Sequence, residues 1–183
     1  MGRARPSSLP NALYRGSSDV WSTPDSHGRL IVVYTDNSTG VPQVWTSDAR
    51  HTESIAGFTP AFRVDPTHQT QFFPWLSAAP TSGQVDLIFY DRSCDPLADT
   101  LNCVSESSTA DGGATWSTVP VTKAGFDGDK FGACLALSTR RTGRPSSSAT
   151  TSPSPPTDPK AQMLWTANGP RALDVFSDRV TFT

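Results

Sequence analysis

Residues 109–116 read Thr-Ala-Asp-Gly-Gly-Ala-Thr-Trp, and each position has a physical role in a tight corner between two strands. The Asp111 carboxylate can accept N–H groups inside the turn, and Gly112 and Gly113 supply the positive φ that such a turn demands. Thr115 and Trp116 begin the returning strand. The indole brings a large apolar surface to lay over the hairpin and its neighbour. The octapeptide locks a two-stranded corner and contains no catalytic group, so it is a fold signal.

The segments around it repeat. Gly28-Arg29-Leu30-Ile31-Val32-Val33-Tyr34-Thr35-Asp36 aligns without gaps on Gly83-Gln84-Val85-Asp86-Leu87-Ile88-Phe89-Tyr90-Asp91, a shift of 55 residues, and Ala161–Ala167 is a third, weaker copy. Each copy is apolar, rich in β-branched and aromatic residues and bounded by turn formers, and so reads as a buried inner strand. Trp21 and Trp75 precede the first two copies. Gln43–Thr46, Val104–Ser107 and Asp174–Ser177 follow the three copies as the next strand of each unit. A repeat of roughly 50 residues built from short strands is a signature of propeller blades.

With these residues in place, the octapeptide matches the Ser/Thr-x-Asp-x-Gly-x-Thr-Trp pattern called the Asp-box. From about Asp19 to its end the chain resembles the sialidase-like (Asp-box, BNR-repeat) β-propellers of the neuraminidase superfamily. Only one box, Thr109, Asp111, Gly113, Thr115 and Trp116, is intact; the first unit has Thr46-Ser47-Asp48 and then Arg50, with Phe58-Thr59-Pro60 following an extra stretch. Gln71–Trp75, Phe89–Arg92 and Phe126–Asp129 also resemble pieces of bacterial members, although Gly132-Ala133-Cys134 stands where those would have Gly-Asp-Tyr. The resemblance implies an all-β chain of antiparallel four-stranded blades from a six- or seven-bladed propeller. In 183 residues there is room for about three blades, whereas closed propellers have roughly four to eight. The expected organisation is a disordered or partial N-terminal segment over 1–18 and an incomplete propeller over 19–183. Its open blade faces predict self-association.

Composition fits a β domain, with 36% hydrophobic residues, 16 prolines and 13 glycines. A net charge of −2 gives no footprint for nucleic acid or an anionic membrane. No apolar run is long enough to insert in a bilayer, and Met1–Val20 has no apolar core of a signal peptide. From Arg140 to Lys160 the chain is rich in Ser, Thr and Pro, and it holds too few apolar groups to offset the entropy of ordering. It is expected to be a disordered insertion at about 140–160.

Cys94 and Cys103 flank an eight-residue loop that a disulfide can close, which favours an extracytoplasmic or secreted location. Cys134 lies in an apolar run and reads as a small buried hydrophobe.

The resemblance also sets the chemistry to search for. Sialidase-type hydrolysis uses three arginines on the substrate carboxylate, an aspartic acid/base, and a tyrosine nucleophile assisted by a glutamate. Arg63, in Ala61-Phe62-Arg63-Val64, faintly resembles the Phe-Arg-Ile-Pro start of catalytic propellers, but it follows the degenerate box, where an outermost strand belongs. Arg92 and Arg171 follow repeated strands and Asp91 ends one, as Asp36 does in the first unit. These make Asp91, Arg92 and Arg171 the catalytic candidates, with turn capping as the plainer role for Asp91. Glu53 and Glu106 are the only glutamates, and the sequence pairs no Tyr with Glu106. Asp127 and Asp129 are weak Ca²⁺ candidates without the acidic density of a dedicated loop. No metal or other cofactor is expected. The leading expectation is a non-catalytic module that recognises glycan or protein; the alternative is a sialidase-type exo-glycosidase completed by further blades.

Overall fold

A computed structural model of the chain describes residues 20–49, 57–67, 69–79, 82–129, 150–152, 160–168 and 173–181. Among these residues every regular element is a β-strand, and all pairing is antiparallel. The first sheet runs β1 (Val20–Pro24), β2 (Leu30–Asp36), β3 (Gln43–Ala49) and β4 (Phe62–Arg63), with spatial order equal to chain order. The second repeats that order in β5 (Gln71–Ala78), β6 (Val85–Asp91), β7 (Leu101–Thr109) and β8 (Ser117–Pro120). A short extra strand, β9 (Phe126–Asp127), pairs with the start of β7. The third sheet comprises β10 (Thr150–Ser152), β11 (Lys160–Asn168) and β12 (Leu173–Thr181).

Four strands per unit therefore describes the first sheet; β9 adds to the second, and three strands of the third are described. The strand β10 falls inside the stretch whose composition predicts disorder, where Thr150 and Thr151 supply β-branched residues that suit a strand. The rest of that stretch and the segment 1–18 lie outside the described residues, as do Glu53, Cys134 and Arg171.

The three repeated segments are β2, β6 and β11, the second strand of each sheet, hydrogen-bonded on both sides. Alternation decides what each face of β6 meets. Val85, Leu87 and Phe89 point to one side, where with Leu76 they pack on Ile31, Val33, Val44 and Val64 of the first sheet. Ile88 and Tyr90 point to the other, into a cluster with Phe72 and Val104, edged by Phe73, Trp75, Val121 and Phe126. Every residue of β6 is buried, which is why its sequence reads as a continuous apolar run. β10 lies against β5 and β6; since the first sheet occupies one face of those strands, the third stacks on the other. At the first interface Trp21 sits on Trp75 with ring centroids 3.8 Å apart.

The strand β5 is bulged. Its register with β6 breaks between Phe72 and Trp75, Phe73 takes φ of +52°, and Pro74 sits in the gap without an N–H to donate.

Candidate functional site

Strand direction separates two ends of the second sheet. Val85 pairs with Thr109 at one end and Asp91 with Cys103 at the other, about 20 Å away at the usual rise of a strand.

The first end carries the octapeptide corner. Asp111 Oδ1 accepts from the Thr109 hydroxyl (2.7 Å) and the Thr115 N–H (2.9 Å), and Oδ2 accepts from the Thr115 hydroxyl (2.6 Å). Thr109 Oγ1 in turn accepts the Gly113 N–H at 3.1 Å, and Trp116 Nε1 donates to the Gly113 carbonyl at 3.2 Å. Partial burial opposes ionisation of Asp111, but the bonds from Thr115 and Thr109 outweigh it and hold the carboxyl at about 2. Gly112 and Gly113 have φ of +74° and +92°, and Trp116 packs on the interface between the first two sheets.

A group absent from the motif completes the corner. Arg29 Nη1 reaches from the β1–β2 turn to the carbonyls of Asp111 (3.0 Å) and Gly112 (2.7 Å), while its Nε lies 3.7 Å from Asp48 Oδ2. Asp25 aims Arg29 by accepting the N–H groups of His27 and Arg29, both at 2.8 Å. The degenerate first box keeps part of the same chemistry: Asp48 Oδ1 accepts from the Thr59 hydroxyl at 2.7 Å. The carboxylates of Asp25, Asp48 and Asp111 and the Arg29 Nη1 of this end all bond the protein's own chain, so its role is to hold corner and sheets together.

The opposite end holds two of the sequence candidates. Asp91 Oδ1 accepts the N–H and hydroxyl of Ser93 at 2.8 and 2.6 Å, as Asp36 accepts those of Ser38 in the first sheet. Both acids cap the turn that leaves the repeated strand. Arg92 is buried. Its Nη1 lies 3.4 Å from Asp99 Oδ2 and also donates to the Asp99 carbonyl, and its Nε faces Asn102 Oδ1 at 3.4 Å. Asp99 has φ of +52° and also accepts from the Thr70 hydroxyl at 3.2 Å, tying the loop to the start of β5.

Between Asp91 and Leu101 the chain is closely braced. Cys94 and Cys103 are joined in a disulfide with their Cα atoms 6.2 Å apart. Asp95 Oδ2 accepts from the Thr100 hydroxyl (2.7 Å) and from the N–H groups of Thr100 and Leu101 (both 3.0 Å); the bonds from Thr100 and Leu101 hold this carboxyl at about 2. At the tip Leu97 is 100% exposed. Next to the loop, Gln71 ties the first two sheets, accepting the Val44 N–H at 3.1 Å and donating to Asp65 Oδ2 at 3.2 Å.

A third set of polar groups lies on the face of the second sheet that carries Ile88 and Tyr90, turned away from the first sheet. Glu106 is 1% exposed and both its carboxylate oxygens are buried without a hydrogen-bond partner. Ile88 faces Glu106 and Ser108 faces Asp86, so Asp86 is its diagonal neighbour on the same face. Burial, and then the Asp86 charge, push the Glu106 carboxyl up to about 8. Burial raises Asp86 to about 6 against a 2.8 Å hydrogen bond from Gln84. Tyr90 shares this face and packs among Phe72, Phe73 and Phe126.

The remaining candidates are spread out. Arg63 sits on β4, the outer edge of the first sheet, 5.9 Å above the Trp45 ring. Asp127 Oδ1 accepts the Asp129 N–H at 3.0 Å, and among the described residues no three His, Cys, Asp or Glu side chains gather as metal ligands. The structure thus brings Asp91 and Arg92 to one end and leaves Arg63 and Asp127 elsewhere. Sequence reasoning missed Arg29, Asp95, Asp99 and Asp86; the spacing Asp95-x-x-x-Asp99 inside the cysteine loop was the one local signal.

No protein-family model matches the chain, and no curated protein matches it in sequence. No helix among the described residues is long and apolar enough to cross a membrane.

Proposed function

We propose that the three sheets are successive blades of a sialidase-like β-propeller, and that the chain is an extracytoplasmic recognition module. It binds protein or glycan at the end of the blades formed by the β6–β7 loop, without turnover. The repeated strand order, the face-to-face stacking and the box between the third and fourth strands of the second sheet support the fold. The disulfide supports an oxidising compartment.

One observation carries the functional reading: a loop braced by a disulfide, the Arg92–Asp99 pair and the Asp95 turn presents Leu97 wholly exposed at its tip. A rigid loop gives up little entropy on binding, and an exposed aliphatic side chain is a suitable anchor for a complementary pocket. An aliphatic anchor favours a protein over a sugar as the ligand. The two candidates the sequence offered beside the loop, Asp91 and Arg92, are already engaged by Ser93, Asp99 and Asn102.

Arrays of peptides and of sialylated and neutral oligosaccharides, probed with the chain and with Leu97→Asp, test the reading. Retention by wild type that Leu97→Asp loses is the expected result. Release of a fluorogenic aglycone from a sialoside, abolished in Asp91→Asn, would overturn it in favour of an exo-glycosidase.

A further inference from the structure

Residues paired directly across neighbouring strands share one face of a sheet. On the face of the second sheet that carries Ile88 and Tyr90, the register sets out two adjacent rows. One is Ser77, Asp86, Ser108 and Ser117, an oxygen-bearing side chain from each of β5, β6, β7 and β8; the other is Trp75, Ile88, Glu106 and Val119. Along its own row Glu106 therefore meets apolar groups, and Val104 lies two residues before it on the same face. Oxygens come from the other row. Ser108 is two residues further along β7, and Asp86 is the diagonal neighbour on β6, a separation of roughly 7–8 Å that long side chains can close.

Glu106 is 1% and Asp86 8% exposed, and neither carboxylate oxygen of Glu106 has a hydrogen-bond partner. A buried carboxylate that nothing donates to, beside a second carboxylate, lacks a positive group. A cation would engage both oxygens of Glu106 and answer both acids at once. The surrounding donors are all oxygens, which selects a hard ion; calcium accepts a bidentate carboxylate and irregular geometry, whereas magnesium demands a near-ideal octahedron. We infer that Glu106, Asp86 and Ser108 bind a calcium ion, with water completing its shell. Gln84 is a positioning residue, since its Nε2 fixes Asp86 Oδ1 at 2.8 Å. The oxygen row also supplies a way in: Ser108 is half-buried and Ser117, on β8, is exposed. Among the described residues no third His, Cys, Asp or Glu joins the two acids. Two carboxylates place the affinity in the weak class of about 0.1–1 mM that serves extracellular modules.

Calcium titration of the chelator-treated full chain at constant ionic strength, followed by calorimetry and by thermal unfolding, tests this. Wild type is expected to bind one ion per chain, and calcium at ten times Kd should raise the ratio of folded to unfolded protein about tenfold. Magnesium at the same concentration should do less. Glu106→Gln keeps the shape of the side chain without its charge and should weaken calcium binding by at least roughly tenfold, as should Asp86→Asn. Ser108→Ala, at a half-buried position, keeps the fold and should fall between these variants and wild type. Leu97→Asp should bind calcium like wild type, which separates this proposal from the ligand-binding one. A wild-type melting temperature indifferent to millimolar calcium overturns the proposal, as does a calcium affinity that Asp86→Asn and Glu106→Gln leave unchanged.

Discussion

Arg29 of the first sheet donates to the carbonyl of Gly112 in the second at 2.7 Å, across 83 residues of sequence. The same guanidinium bonds the Asp111 carbonyl and lies beside Asp48, so one side chain holds a corner of the second sheet against the last residues of β3.

Arg29→Ala and Asp111→Ala are each expected to lower stability by about 1–3 kcal/mol, the cost of stranding polar groups that had partners. Because both act on one corner, the double variant should cost less than the sum, with a coupling of roughly 0.5–2 kcal/mol. Denaturant unfolding of the four proteins measures it. Strict additivity would mean that the guanidinium and the box act independently.

Stability should fall as pH rises through neutrality. Glu106 moves from 4.5 to about 8 on folding and Asp86 from 3.8 to about 6. Between those values the folded chain keeps protons that the unfolded chain has released. The contribution is complete below the unfolded values and is lost as pH climbs through the folded ones. Asp95 and Asp111, held at about 2, act in the opposite sense and lose their contribution as pH falls below 3.8. The melting temperature should therefore peak in mildly acidic buffer and decline toward about pH 8. Glu106→Gln should raise it there and flatten the decline. A wild-type melting temperature that climbs steadily from pH 5 to 8 would contradict the burial of Glu106.

Reduction of the Cys94–Cys103 bond, or its replacement by two alanines, should cost roughly 2–3 kcal/mol for a loop of this length. Binding should weaken further than the loss of folded protein explains, since Leu97 would no longer be held in place. Affinity measured under conditions where both forms are fully folded separates the two effects. Equal affinity of oxidised and reduced protein would remove the loop from the recognition surface.

Arg92→Ala should cost about 1–3 kcal/mol, because it removes a buried side chain that donates to the Asp99 carbonyl and faces Asn102 Oδ1, and strands those acceptors. Arg92→Lys should rescue little of this, since an ammonium cannot supply the planar fork that meets Asp99 and Asn102 together. Thermal unfolding reads both. A folded, fully stable Arg92→Ala protein would overturn the bracing role of this side chain.

What was legible in the sequence is what local chemistry fixes. The eight residues of the box carry nearly all the partners of Asp111, and the repeat exposes β2, β6 and β11 because each is the second strand of its sheet, hydrogen-bonded on both sides, and β6 is buried throughout. The placement of Arg63 on an outer edge strand also follows from its position after the first box. Arg29 was invisible because its partners are set by how two sheets stack. The raised carboxyl of Glu106 likewise depends on burial and on Asp86, which the pairing of β6 with β7 brings to the same face. Strands of two or three residues, such as β9 and β10, are too short to show any period.

The bulge in β5 also decides how other chains can approach. β5 is an edge of the second sheet among the described strands, and an unbroken row of N–H and C=O groups there would invite an extended polypeptide to pair with it. Pro74 offers no donor and Phe73 turns its backbone out of line, so the row is interrupted along its length. Continuous pairing of an extended chain along this strand is thereby disfavoured.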